Sequence, residues 1–152
     1  MRYPAERGFT LIELLVVVAV IGMIVAIAIP NLLHAIDRGK QKRTMADLRT
    51  VGTALESYAV DLNHYPRYPS LQPVAGAVES HLQPFVKVVP IHDGWSRDLR
   101  YESDAVGADY TVLSYGRDAV RSTASTGATQ DFDCDILFQN GAFVAWPEGI
   151  QT

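Results

Sequence analysis

Gly8-Phe9-Thr10-Leu11-Ile12-Glu13-Leu14-Leu15-Val16-Val17-Val18-Ala19-Val20-Ile21-Gly22-Met23-Ile24-Val25-Ala26-Ile27-Ala28-Ile29-Pro30 is the stretch on which the reading of this chain turns. From Phe9 to Ile29 it holds 21 residues with one formal charge, Glu13. That is about the length needed to cross a hydrocarbon core of roughly 30 Å as a helix. A secretory signal peptide would have a shorter apolar run followed by a small-x-small cleavage site. Here the run is longer, and Ala26-Ile27-Ala28 leads into further helix-like sequence. Glu13 asks for a reason, because a carboxylate inside a spanning helix costs on the order of 2 to 3 kcal/mol unless it finds a partner. The plain alternative is a carboxylate near a helix start, stabilised by the helix dipole or by snorkelling toward headgroups.

The rest of the 152-residue chain reads as one soluble domain, since roughly 100 to 200 residues per domain is usual. The net charge is −4, and without Met1 to Gly8 the chain keeps 11 basic and 16 acidic residues, or −5. Nothing there advertises nucleic-acid binding. The single cysteine, Cys134, excludes an internal disulfide, so packing or a metal ion must hold the domain. Beyond Ile29, Pro30 removes a helix hydrogen bond and tends to kink rather than end a supported helix. Met45, Leu48, Val51, Leu55, Tyr58 and Leu62 then recur at spacings of three and four, the mark of a helix with one buried stripe. A single helix from about Phe9 to Leu62 is expected, its first half bare of intramolecular partners and so covered by lipid or by sister subunits.

Gly8-Phe9-Thr10-Leu11-Ile12-Glu13 closely resembles the type IV prepilin motif shared by type IV pilins and type II secretion pseudopilins. The resemblance implies a leader over residues 1–8, cleavage after Gly8 by a prepilin peptidase, and methylation of the new N-terminal Phe9. It implies a membrane and assembly helix over 9–30, with Pro30 matching the family pattern, and an extracytoplasmic head over 31–152. Glu13 would pair with the Phe9 amine of a neighbouring subunit, removing both charges from hydrocarbon as a filament assembles. Arg38, Lys40, Lys42 and Arg43 lie beyond the span and outnumber the leader's basic residues, so the positive-inside rule alone favours the opposite topology. The resemblance places the leader in the cytoplasm. The expected location is the bacterial inner membrane, single-pass with the head outside the cytoplasm, and then an extracytoplasmic filament.

In the head, Asn63-His64-Tyr65-Pro66 ends the helix, and the stretch to Pro73 reads as an ordered loop. A short helix is expected from about Leu71 to Pro84. Strands are expected at Leu99 to Glu102, Asp109 to Tyr115, Asp135 to Gln139 and Ala142 to Trp146, the last two joined by an Asn140-Gly141 turn. Tyr65-Pro66, Asp93-Gly94-Trp95 with Leu99-Arg100-Tyr101, and the run Asp109 to Asp118 resemble G-type major pseudopilins. The fold implied is α+β and type IV pilin-like: a long N-terminal helix packed on a small antiparallel sheet.

The connection from Gly116 to Cys134 is long for an unstructured loop. Carboxylates with backbone carbonyls are what Ca²⁺ requires, six to eight oxygens at about 2.3 to 2.6 Å, and the loop's ends carry Ser114, Asp118, Asp131, Asp133 and Asp135. The resemblance implies a calcium-binding loop here, with Asp118, Asp131 and Asp133 as the leading ligands. A solvated acidic loop is the alternative. The family has glycines after the aspartate, whereas Ala119 and Val120 follow Asp118.

No enzyme is expected. His34, His64, His81 and His92 show neither metal-ligand nor nucleophile-elbow spacing, and the aspartates flanking Cys134 would raise its thiol pKa. Three functions stay open: a major pseudopilin of type II secretion, a type IV pilus pilin for adhesion or motility, and a membrane-tethered binding module whose aromatics Tyr65, Tyr68, Trp95 and Trp146 line a surface. Implied partners are copies of the chain in a helical filament, a prepilin peptidase, an inner-membrane platform with its assembly ATPase, and minor pseudopilins or pilins.

Overall fold

The computed structural model describes residues 8–122 and 126–151; of the leader expected over residues 1–8, all but Gly8 lies outside them. The chain divides into two compact units, one ending at Ala35 and one spanning residues 36–152. Helix α1, Leu11–Leu62, runs through both and contains Pro30 without ending there. It stops where Asn63 takes a left-handed conformation (φ 61°) while its N–H still reaches the Ala59 carbonyl at 2.8 Å. Such a residue just past a helix satisfies a last carbonyl and turns the chain away.

In the second unit, α1 buries Gln41, Thr44, Leu48, Val51, Gly52, Ala54 and Leu55. Leu48, Val51 and Leu55 are the centre of the expected stripe, and burying each is worth about 1.5 to 3 kcal/mol. Met45 and Tyr58 pack at its margin, whereas Leu62 is half exposed. The stripe meets a sheet whose strands are β1 (Gln72–Pro73), β2 (Arg100–Ser103), β3 (Tyr110–Ser114), β4 (Gly127–Thr129), β5 (Ile136–Gln139) and β6 (Ala142–Pro147). Their order among the described residues is β1-β2-β3-β5-β6-β4. Tyr101, Tyr110, Val112, Ile136 and Phe138 form the sheet's side of the core. Gly52 has no side chain because the Phe138 ring lies against it.

The β5–β6 turn is as expected: Asn140 (φ 46°) and Gly141 (φ 86°) are both left-handed and Gln139 pairs with Ala142, the two-residue turn that matches strand twist. Three features differ from the sequence reading. The region expected as one helix from Leu71 to Pro84 instead gives β1 and two single turns, α2 (Val74–Ala77) and α3 (Glu79–Leu82), because Gly76 takes φ 85° and breaks the helical path. Strand β4 emerges from the Gly116 to Cys134 connection, where no strand was expected. It pairs parallel to β6, with Gly127 opposite Ala145 and Thr129 opposite Pro147, so the sheet is mostly rather than wholly antiparallel.

Candidate functional site

Gly8, Phe9 and Thr10 precede α1 and are exposed, so the Gly8–Phe9 bond lies in non-helical chain that a peptidase could engage. Thr10 caps the helix. Its Oγ1 accepts from the Glu13 N–H at 3.3 Å, while Glu13 Oε2 accepts from the Thr10 N–H at 2.9 Å and from its hydroxyl at 2.8 Å. This reciprocal arrangement is a capping box. It was legible in the spacing Thr10-x-x-Glu13, and it gives Glu13 a local partner that a reading focused on the neighbour's amine overlooks. Both bonds to Glu13 end on Oε2. Phe9, Ile12, Glu13, Val16 and Val17 lie together, and the most apolar stretch of α1 is wholly unburied. An apolar helix without intramolecular cover suits lipid or another protein surface.

In the second unit, the segment Asp93-Gly94-Trp95 is clamped on α1. Asp93, 2% exposed, accepts from the N–H groups of Trp95 and Arg97 through Oδ1, each at 2.9 Å, and from the Ser114 hydroxyl through Oδ2 at 2.7 Å. Gly94 donates its N–H to Thr44 Oγ1 at 2.9 Å, and a Cβ there would collide with the Lys40 carbonyl. Trp95 Nε1 donates to Asp37 Oδ1 at 3.2 Å. These residues fasten the head to the helix rather than opening a binding surface. Tyr65 and Tyr110 do the same from another side, both donating to Glu56, at 2.9 and 3.0 Å. Burial, reinforced by Glu56, pushes the Tyr65 hydroxyl up to about 12.

The five residues named for calcium part company. Ser114 is fully buried and committed to Asp93. Asp133 forms a two-pronged pair with Arg117, Oδ1 to Nε at 2.7 Å and Oδ2 to Nη2 at 3.0 Å, which holds its carboxyl below the usual range. Asp131 Oδ1 lies 3.9 Å from Arg117 Nη2 and accepts from the Asp133 N–H. Asp118 accepts from the Val120 N–H at 2.9 Å. Between them Ala119 takes a left-handed φ of 61°, so the tight turn forms despite the missing glycine. Asp135 is 4% exposed and accepts from the Ser122 N–H at 3.2 Å; its burial raises it, with the nearby Asp118 adding to the effect.

Among the described residues no three His, Cys, Asp or Glu side chains are placed to hold a metal. Ser114 faces Asp93 while Asp131 and Asp133 face Arg117, so the five side chains are not gathered around one ion, and Asp118 and Asp135 would leave most of the six to eight oxygens to backbone carbonyls. Sequence reasoning missed Arg117 and Asp37. Arg117 stands next to Asp118, but its partner Asp133 is 16 positions away, and no local pattern announces that pairing. Cys134 is half-buried, and burial with the neighbouring aspartates pushes its thiol up.

The family profile of the type II secretion system protein G matches residues 31–133, and that of the prokaryotic N-terminal methylation motif matches residues 4–29. The chain is 30% identical to a type II secretion system core protein G of Klebsiella michiganensis over 84% of this chain and 87% of the relative. It is 32% identical to the protein of the same name from Pectobacterium carotovorum, over 74% and 69%. A type IV major pilin protein of Myxococcus xanthus is 45% identical over 62 residues, 41% of this chain and 28% of the pilin.

Proposed function

The chain belongs to the type II secretion system protein G family, and from that membership we propose that it is a major pseudopilin, the repeating subunit of a filament that drives protein export. The observation that carries this reading is a head of that family, matched over 31–133, on a helix whose apolar half has no cover of its own. The family is a structural one, and the chain's work is mechanical. A prepilin peptidase would cut after Gly8 and the Phe9 amine would be methylated. The apolar half of α1 would hold the subunit in the bacterial inner membrane with its head outside the cytoplasm. A membrane platform powered by a cytoplasmic ATPase would then add subunits to the filament base, with minor pseudopilins completing the assembly.

The capping box refines how Glu13 would act. Thr10 engages Oε2, which partly compensates the carboxylate while the subunit waits in lipid, where an unpaired charge is expensive. Oε1 is left for the Phe9 amine of the subunit ahead, so arrival would neutralise two charges at once. A type IV pilus pilin is the second reading, favoured by the 45% identity to a type IV major pilin; that match spans only 28% of the pilin.

The deciding experiment compares culture supernatants of a deletion strain complemented with the native chain or with Glu13→Ala. Native complementation should restore a defined set of exported proteins, and Glu13→Ala should insert normally in the membrane yet fail to restore them. An unchanged supernatant on deletion would overturn the secretion reading in favour of the pilus. Full export by Glu13→Ala would overturn the role given to the carboxylate.

A further inference from the structure

Three carboxylates converge on one side chain in the head. Asp37 comes from α1, and Asp131 and Asp133 from the far end of the loop that Arg117 opens. Besides its two-pronged bond to Asp133, the guanidinium lies 3.8 Å from Asp37 Oδ2 and 3.9 Å from Asp131 Oδ1. Its flat face rests on the Phe132 ring, 5.5 Å from the centroid, and Phe132 is fully buried. The backbone of Arg117 is also tied: its N–H donates to the Phe132 carbonyl at 2.9 Å, and its carbonyl accepts from Arg97 Nη2 at 2.9 Å. The other end of the assembly is anchored by Trp95, which donates to Asp37.

We propose that Arg117 is a resident cation: its guanidinium pairs with Asp133, offsets part of the charge of Asp37 and Asp131, and closes the acidic loop onto α1 without a bound divalent ion. An acidic loop needs a counter-charge to fold back on itself and on an acidic helix position. A divalent cation supplies one by collecting oxygens, and an arginine by offering a planar fork of N–H donors that matches a carboxylate. Two of the three leading ligands for calcium, Asp131 and Asp133, face this fork. A cation carried in the chain is neither diluted nor chelated, so the head holds its form whatever the calcium level around the cell. The fork distinguishes Arg117 from a general surface charge, because a lysine would bring the same charge as a point and lose one prong.

The test is thermal melting of the full-length chain in detergent, followed by near-UV circular dichroism. Trp95, bonded to Asp37, serves as the internal reporter. Each protein is melted in chelator and in calcium at about 10 mM, above the roughly 10⁻⁴ to 10⁻³ M of extracytoplasmic sites, with magnesium as the ionic-strength control. The native midpoint should be the same in all three. Arg117→Gln should melt at least about 3 °C lower, and Arg117→Lys should recover less than half of that loss. Asp133→Asn should also melt lower, and the double variant Arg117→Gln with Asp133→Asn should fall no further than the worse single variant, the non-additivity of a shared bond. A native midpoint that drops on chelation, an Arg117→Gln variant that melts with the native chain, or additive losses in the double variant would each overturn the proposal.

Discussion

Asp118 and Ala119 illustrate how one residue sets a local cost. The Asp118 carboxylate accepts from the Val120 N–H, and that turn puts Ala119 at φ 61°, a conformation in which an L side chain crowds its own carbonyl. A glycine at such a place would remove the strain, whereas the alanine retains it. Ala119→Gly should therefore stabilise the head by about 0.5 to 1 kcal/mol, the relief of roughly 1 to 2 kcal/mol of left-handed strain less the extra freedom glycine gains when unfolded. Urea denaturation of the two proteins side by side checks it, and a loss of stability would mean that the turn's conformation is not what limits it. The same residue scale explains the split of the calcium set. Asp131 and Asp133 sit either side of a buried phenylalanine that is itself the floor under Arg117.

At the scale of the element, α1 does two unlike things with one hydrogen-bonded rod. Its first half keeps its backbone hydrogen bonds within the helix apart from the one that Pro30 removes and those of its first turn, as suits a segment in hydrocarbon, and exposes apolar side chains throughout. Its second half presents a stripe in which large and small residues alternate, Leu48, Val51, Gly52 and Leu55, so that Phe138 from β5 can fit against the helix backbone at Gly52. Alanine is the better helix former by about 1 kcal/mol, yet here its methyl would overlap the ring, and overpacking costs about 1 to 3 kcal/mol. Gly52→Ala should lower stability by about 1 kcal/mol in chemical denaturation. Its cost should shrink in a Phe138→Leu background, where the ring that meets the methyl is gone. A stabilised Gly52→Ala protein would show that the ring moves aside freely.

For the whole molecule, the division at residues 35 and 36 separates parts that fold for different reasons. Every buried residue of the core cluster lies between Leu48 and Phe138, and the clamp residues Asp37, Lys40 and Thr44 also fall on the head's side. A fragment of residues 36–152 should thus unfold in one cooperative transition, as small single domains do. Its melting midpoint should lie within a few degrees of that of the full chain in detergent. A broad, uncooperative melt would mean that the head draws stability from the membrane half.

The long helix and the Asn140-Gly141 hairpin could be read from the chain alone. Each is written in short-range pattern: 21 residues with one charge, spacings of three and four, and a polar residue followed by glycine. The single helix expected between Leu71 and Pro84 failed for a local reason too, since Gly76 adopts a backbone angle closed to helices. What only the tertiary structure decided are pairings between distant positions: Trp95 with Asp37, 58 residues apart, β4 with β6 in parallel, and Arg117 with three aspartates. Acidic residues around a long loop are equally compatible with a metal ion, with solvent or with an internal arginine. The choice among them rests on which side chains the sheet and helix bring within reach, and that is a property of packing rather than of spacing.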